Sequence, residues 1–167
     1  QIKNSHDDGD IEFVCDDGSG GVTAYITLDG SVTRTIFSQE ARFTDSVNLK
    51  FGTGGDMMLY HDGSNSYIDH TGTGDLYIRQ GQDDKDIIFQ SDDGSGGLTE
   101  YFRLDGSAVR SVFLKNVLWA DNVKARFGSG GDLEIYHDGT NSYIHNDTGD
   151  LRIENDTTDG DIIFRSD

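Results

Sequence analysis

The sequence predicts an all-β protein made of tandem repeats, each built from short antiparallel strands and tight hairpins. Three observations support this prediction. A long stretch of sequence returns at an offset of 76 residues, apolar residues recur at every second position, and Asp-Gly dipeptides separate the alternating stretches. Asp-Gly is a strong hairpin signal because both residues tolerate positive φ. The gaps between turns hold no clear helix, which favours an antiparallel meander.

The repeat defines the expected organisation of the chain. The segment 10–31, DIEFVCDDGSGGVTAYITLDGS, returns at 86–107, and the segment 51–68, FGTGGDMMLYHDGSNSYI, returns at 127–144. The matches predict two full units with parts of two others, as expected of a stretch from a longer array. The predicted boundaries are the tail of a preceding repeat at 1–9, repeat unit 1 at 10–85, repeat unit 2 at 86–160 and the start of a third repeat at 161–167.

Alternating apolar residues predict the individual strands, because side chains two positions apart share one face. The pairs and triplets that share a face are Ile11 and Phe13, Ile26 and Leu28, Val47 with Leu49 and Phe51, Met57 and Leu59, Leu76 and Ile78, Ile87 and Phe89, Phe102 and Leu104, Val123 with Ala125 and Phe127, and Leu133 and Ile135. The stretch 108–120 also has the composition of a short helix. Its counterpart 32–44 alternates better as a strand, so we predict a strand in both.

Composition and charge exclude several classes of function. Hydrophobic residues make up 34% of the chain, too few for a thick core. The 13 basic and 31 acidic residues give a net charge of -18, which opposes binding to nucleic acid and to anionic lipid. No apolar stretch reaches the roughly 18 residues that membrane insertion needs. Cys15 is the only cysteine, so no intrachain disulfide can form.

The most distinctive motif is YHDGSNSYI at 60–68, which returns as YHDGTNSYI at 136–144. We interpret it as a hairpin in which Asp caps the loop, Gly or Asn takes the left-handed position, and a tyrosine flanks the turn on each strand. The predicted turn residues are His61, Asp62, Gly63 and Asn65 in the first copy, and His137, Asp138, Gly139 and Asn141 in the second.

Adjacent histidine and aspartate also suit a metal site, although zinc needs three or four converging ligands. In a homotrimer, three copies of one histidine could surround a threefold axis and bind a metal there. His61 and His137 are therefore the candidate metal ligands.

The acidic loops DDGSGG at 16–21 and 92–97 offer carboxylates and carbonyls that suit calcium, but their spacing fits neither an EF-hand nor a calcium β-roll. We expect them to form turns with a solvated acidic edge, and we expect no cofactor. Catalysis is not indicated either, because no serine or cysteine lies in a nucleophile context. Cys15 aligns with Ser91 and Ser166 in the other copies. The sequence therefore predicts that the protein is not an enzyme.

The motifs YHDGSNSYI and YHDGTNSYI, preceded by FGTGGD or FGSGGD and followed by GDLYI or GDLRI, resemble repeats in the tail-fibre and virion structural proteins of marine bacteriophages. The resemblance covers most of each unit. It implies an elongated homotrimeric β fibre, a location on the virion and outside the cell, and a role in attachment to the host surface.

Two alternatives stay open beside this interpretation. A monomeric β-sandwich or a propeller-like arrangement of repeats is the alternative architecture. A carbohydrate-binding adhesin module, which recognises a host cell-surface glycan through exposed tyrosine and asparagine at the hairpin tips, is the alternative function. Trp119, which aligns with Phe43, is expected to pack in a core or at a subunit contact.

Overall fold

The computed structural model describes residues 1–166. These residues form twelve β-strands and no helix, which confirms the all-β prediction. The strands are β1 Ile11–Asp16, β2 Val22–Asp29, β3 Arg34–Phe37, β4 Leu49–Phe51, β5 Met57–His61, β6 Ser66–His70, β7 Ile87–Asp92, β8 Leu98–Asp105, β9 Arg110–Phe113, β10 Ala125–Phe127, β11 Leu133–His137 and β12 Ser142–Asn146. Residues 1–166 hold no helix long and apolar enough to cross a membrane.

The strands form four antiparallel sheets of three, in the orders β1-β2-β3, β4-β5-β6, β7-β8-β9 and β10-β11-β12. Each sheet is a meander, since neighbours in the sheet are also neighbours in the sequence. The chain divides into two compact units, residues 1–77 and 78–167, and each unit contains two of the sheets. The antiparallel hairpin character that the turn signals predict is therefore confirmed.

The first sheet of each unit carries an apolar face. In the first unit Ile26 of β2 lies between Phe13 of β1 and Phe37 of β3. The pairing of β1 with β2 shifts between Phe13 and Val14, as in a β-bulge. The second unit repeats this register and this shift with Phe89, Phe102 and Phe113.

The second sheet of each unit carries the tyrosine hairpin. In the first unit Leu59 lies between Leu49 and Ile68, and Tyr60 is opposite Tyr67. The register of the second unit is the same, with Ile135 between Ala125 and Ile144 and with Tyr136 opposite Tyr143.

No hydrophobic side chain among the described residues is buried; the three buried residues are Thr27, Asp105 and Glu134. Within each unit, the strands contact only strands of their own sheet. A β-sandwich needs two facing sheets around an apolar core, and a propeller blade needs four strands. Neither unit of the described chain forms a sandwich or a four-stranded blade, which argues against these two architectures within one unit.

Several predicted strands are absent or shorter than expected. Leu76, Ile78, Val47 and Val123 lie outside strands, and the stretches 32–44 and 108–120 are strands only at Arg34–Phe37 and Arg110–Phe113. Alternation reports which side chains share a face, whereas a strand also requires a neighbouring backbone to pair with. The predictions fail where the chain places no other strand alongside.

Candidate functional site: the repeated tyrosine hairpin

The turn between β5 and β6 is organised by the carboxylate of Asp62. Its Oδ1 accepts hydrogen bonds from the backbone N–H groups of Ser64 and Asn65, both at 2.8 Å. The backbone N–H of Asp62 donates to the carbonyl of Asn65 at 3.0 Å and closes the loop. Gly63 has a φ of 101°, a region that side chains rarely adopt. The sequence DGSN thus supplies both the acceptor and the flexible residue that this turn needs.

Two tyrosines flank the turn on one face of the hairpin. The rings of Tyr60 and Tyr67 are stacked, with centroids 4.8 Å apart and an interplanar angle of 16°. The hydroxyl of Tyr67 donates to Oδ2 of Asp62 at 2.9 Å. Asp62 therefore binds the turn with one oxygen and fixes the aromatic pair with the other.

His61 lies on the opposite face of β5 from the tyrosines, beside Ser66. Its Nδ1 is 3.1 Å from Oγ of Ser66, across the pair of residues that closes the hairpin. The carbonyl of His61 accepts a hydrogen bond from the backbone N–H of Ser46 at 2.8 Å, which ties the preceding loop to the hairpin. This arrangement leaves Nε2 as the nitrogen available to an outside ligand.

The second copy reproduces this geometry closely. Asp138 accepts from the N–H groups of Thr140 at 2.8 Å and Asn141 at 2.7 Å, and from the hydroxyl of Tyr143 at 2.9 Å. The remaining matches are His137 Nδ1 to Ser142 Oγ at 3.1 Å, a φ of 94° at Gly139, and stacked Tyr136 and Tyr143 rings at 4.8 Å. The hairpin is therefore a constant part of each repeat.

Hydrogen bonding also sets the ionisation of the hairpin. The N–H groups of Asn65 and Ser64 and the hydroxyl of Tyr67 stabilise the charged carboxylate, so the pKa of Asp62 lies below its usual 3.8. The hydrogen bond to Asp62 raises the pKa of Tyr67 above 10.0, because ionisation of the phenol would break it. Asp138 and Tyr143 shift in the same directions for the same reasons.

The DDGSGG loops use their carboxylates in a similar way. Oδ1 of Asp17 accepts from the N–H and the hydroxyl of Ser19, both at 2.8 Å, and from the N–H of Gly21 at 3.0 Å. Asp93 makes the equivalent bonds to Ser95 and Gly97. These oxygens cap their own loops, so a calcium ion would compete with the hydrogen bonds that shape the turn.

No group of three or more His, Cys, Asp or Glu side chains that could hold a metal is present within residues 1–166. The axial arrangement of three His61 or three His137 side chains depends on several chains and stays a prediction. Metal analysis of the purified protein tests it.

An ion-pair cluster in the second unit was not anticipated from the sequence. Glu134 is 4% exposed and lies 2.5 Å from Nζ of Lys124 and 2.9 Å from the guanidinium of Arg126. The hydrogen bond from Lys124 outweighs burial and holds the pKa of Glu134 below 4.5. Nζ of Lys124 also lies 4.7 Å from the centre of the Tyr136 ring. The sequence signals are that Met58 and Asn48 occupy the positions equivalent to Glu134 and Lys124 in the first unit.

Each unit has an open depression at one end of its first sheet. In the first unit it measures about 390 Å³ and is lined by Ile11 and Leu28 beside the Asp29–Arg34 ion pair, which spans 3.3 Å. The second unit has its counterpart, of about 510 Å³, with Ile87 and Leu104 beside Asp105 and Arg110.

A third depression, of about 530 Å³, lies beside the second tyrosine hairpin. Its apolar lining includes Trp119, Ile135 and Ile144, and its polar lining includes His137 and Ser142. The sequence predicts a core or a subunit contact for Trp119; it is 52% exposed, so it is not packed in a core within one chain, and the subunit contact stays a prediction. A depression lined by an exposed indole together with apolar and polar side chains can bind a partner side chain or the face of a sugar ring.

Comparison of the chain with protein-family models, with curated proteins and with solved structures found no match.

Proposed function

We propose that this chain is a structural segment of an extracellular fibre, of the kind found in phage tails, and that it contributes to attachment at a host cell surface. The proposal rests on the accessible surface area of one chain, which is larger than that of a compact protein. Its accessible area is 14172 Å². A compact monomer of the same 18.3 kDa exposes about 8,000 Å², and two separate compact units of half that mass expose about 10,000 Å² together.

The excess of roughly 4,000 Å² is comparable with the area that permanent subunit interfaces bury, about 2,000–5,000 Å². Exposed apolar side chains on the sheet faces contribute to this surface. The exposed apolar residues of these faces are Phe13, Leu28, Phe37, Leu49, Phe51, Ile68, Phe89, Leu104, Phe113, Phe127, Ile135 and Ile144. Faces of this kind are typical of protein contacts rather than of a solvated monomer.

Copies of the same chain are the simplest partners, because the same apolar face recurs in both units at the same register. Closed symmetric assembly lets each copy cover its neighbours, and we propose a trimer in agreement with the resemblance to virion fibre repeats. A location on the virion or outside the cell follows from the same proposal. An enzymatic function has no support in the hairpin, whose carboxylates hold their own turns.

The molar mass of the purified chain in solution tests this function. We expect three times the 18.3 kDa of one chain, because the apolar faces would be covered at the threefold axis. A folded monomer at all concentrations would contradict the proposal. A circular dichroism spectrum of the same sample is the control, because it distinguishes a folded monomer from an unfolded one.

The depression beside Trp119 supports a second candidate function, a carbohydrate-binding adhesin module. A glycan array probed with the assembled protein distinguishes the two functions, since a shaft segment binds no glycan. If the protein binds a glycan on the array, Trp119→Ala should abolish that binding, because the indole supplies the stacking surface for the sugar. Leu118→Ala is the matched control, because Leu118 is 93% exposed and does not line the depression.

A further inference from the structure

Two equivalent segments, 39–43 in the first unit and 115–119 in the second, make no hydrogen bond in the described chain. Each follows an edge strand, β3 or β9, and the last backbone bonds before them run from Ser38 to Tyr25 and from Leu114 to Tyr101. After these bonds, neither the backbone nor the side chains of the two segments have a hydrogen-bond partner within residues 1–166. All ten residues are exposed.

Their side chains do not suit a solvated loop. The segments read QEARF and KNVLW, and the apolar residues that they share in position are Ala41 with Phe43, and Val117 with Trp119. This spacing of two places the paired side chains on one face of an extended chain. Connecting segments in water are usually rich in Gly, Pro, Asn, Asp and Ser. The pattern is therefore that of a strand whose partner is not in the same chain.

Sheet edges with no strand alongside them are present in the same units. β6 and β12 each pair on one side only, with β5 and β11 respectively. Natural edge strands are commonly guarded by lysine, proline or a bulge. β6 reads SYIDH and β12 reads SYIHN, without lysine or proline, and the pairing of each with its neighbour is regular. These edges are open to pairing with another strand.

We propose that segments 39–43 and 115–119 pair as strands with open sheet edges of a neighbouring copy of this chain. The inference rests on the proposed fibre function and identifies how its subunits join. A second copy of the chain is the expected binding partner, because each chain carries both the unpaired segments and the open edges. The two segments are five residues long, and so are the two edge strands β6 and β12. Both partners recur at the same sequence offset of 76 residues, so the same pairing is available to each unit.

Strand addition of this kind contributes main-chain hydrogen bonds, while the alternate side chains reach the neighbour's surface. Phe43 and Trp119 would then be covered by the neighbouring copy. The pairing also accounts for the alternation that predicts a strand where one chain forms none.

Amide hydrogen exchange on the purified, assembled protein tests the inference. A chain on its own would leave the amides of 115–119 exchanging at the rate of an unfolded peptide. Pairing with a neighbour should slow them by about a hundredfold or more, as for other strand amides. The amides of 39–43 should behave in the same way.

A proline variant provides an independent test. Val117→Pro removes an N–H that has no partner within one chain, so it breaks no hydrogen bond inside the chain while preventing pairing with a neighbour. We expect this variant to lose the oligomer and the protection at 115–119. The matched control is Asp83→Pro, at the second position of a turn in which Lys85 N–H bonds to the Gln82 carbonyl and Asp84 has a φ of 56°, a geometry that suits proline.

The outcomes separate the inference from the function on which it rests. An oligomer with protected segments, lost in Val117→Pro and retained in Asp83→Pro, supports both. An oligomer whose segments exchange without protection overturns strand addition and leaves the fibre proposal standing. A folded monomer overturns both.

Discussion

The carboxylate of Asp62 illustrates how a single residue shapes the repeat. It accepts hydrogen bonds from Ser64 and Asn65 and from the hydroxyl of Tyr67, and these donors lower its pKa. Because the pKa of Asp62 is lowered in the folded state, its contribution to the free energy of unfolding is complete above the usual pKa of 3.8. It is lost as the pH falls through the lower, folded-state pKa.

The pH dependence of unfolding should report this contribution. We expect denaturant midpoints of the native protein to fall between about pH 5 and about pH 2, because Asp62 and Asp138 must be protonated on the way. The double variant Asp62→Asn, Asp138→Asn keeps a side-chain oxygen for the turn but removes the charge. Its midpoint should therefore be lower at neutral pH and fall less steeply in acid. Identical acid profiles for the two proteins would show that the hairpin carboxylates contribute nothing.

Glycine is required at position 63 because the turn needs a positive φ there, and not because a side chain would lack space. Its φ is 101°, and a Cβ built there would meet only Asp45, at an ordinary 3.7 Å. Gly63→Ala should destabilise the protein by about 1–2 kcal/mol through backbone strain, measured by urea unfolding. Gly81→Ala is the control: Gly81 has no positive φ and no atom near its Cβ position, so this change should be neutral or slightly stabilising.

Among the elements, the two first sheets share a register but differ in their central residue. In the second unit Phe102 stacks between Phe89, with centroids 4.3 Å apart, and Phe113, at 5.7 Å. The equivalent of Phe102 in the first unit is Ile26. The aromatic stack is therefore specific to the second unit.

Truncation at this position tests how much the stack contributes. Phe102→Ala should cost about 2 kcal/mol, since it removes two ring contacts and part of a half-covered face. Phe102→Ile should cost under about 1 kcal/mol, because the same sheet in the first unit accommodates isoleucine. Equal losses in urea unfolding for the two variants would argue that ring stacking, rather than apolar area, holds this sheet.

The Glu134 cluster gives a second comparison between equivalent elements. Removing only the acid of a fully buried ion pair leaves an uncompensated charge, but the side chains of Lys124 and Arg126 are 33% and 60% exposed and can be hydrated once Glu134 is replaced. Truncation, in contrast, also leaves a gap. Glu134→Met, which introduces the residue of the first unit, should therefore leave the melting temperature nearly unchanged. Glu134→Ala should lower it by a few degrees. A large loss in Glu134→Met would instead assign the stability of this sheet to its pairs with Lys124 and Arg126.

The sequence predicts these elements best where both strands of a pair are close together in the chain. Asp62-Gly63 fixes a hairpin because the turn and both flanking strands lie within one short motif. Alternation alone predicts strands at Leu76 and at 115–119, where residues 1–166 provide no neighbouring strand. The Glu134 cluster could not be predicted from the sequence, because it depends on the register of three strands and on Lys124 from the preceding loop.

At the scale of the whole molecule, neither unit of the described chain buries an apolar side chain. The hairpins specify local structure, while the apolar faces and the segments 39–43 and 115–119 lack partners. Folding of the chain should therefore be coupled to its assembly. Stability then depends on how many copies are present as well as on the contacts within one copy.

The dependence of unfolding on protein concentration tests this account most directly. Reversible denaturant unfolding, followed by circular dichroism, should show a midpoint that rises as the chain concentration is raised, because dissociation accompanies unfolding. A cooperative transition with the same midpoint across a wide range of concentrations would contradict the account, since it would mean that one chain is stable with its apolar faces in water.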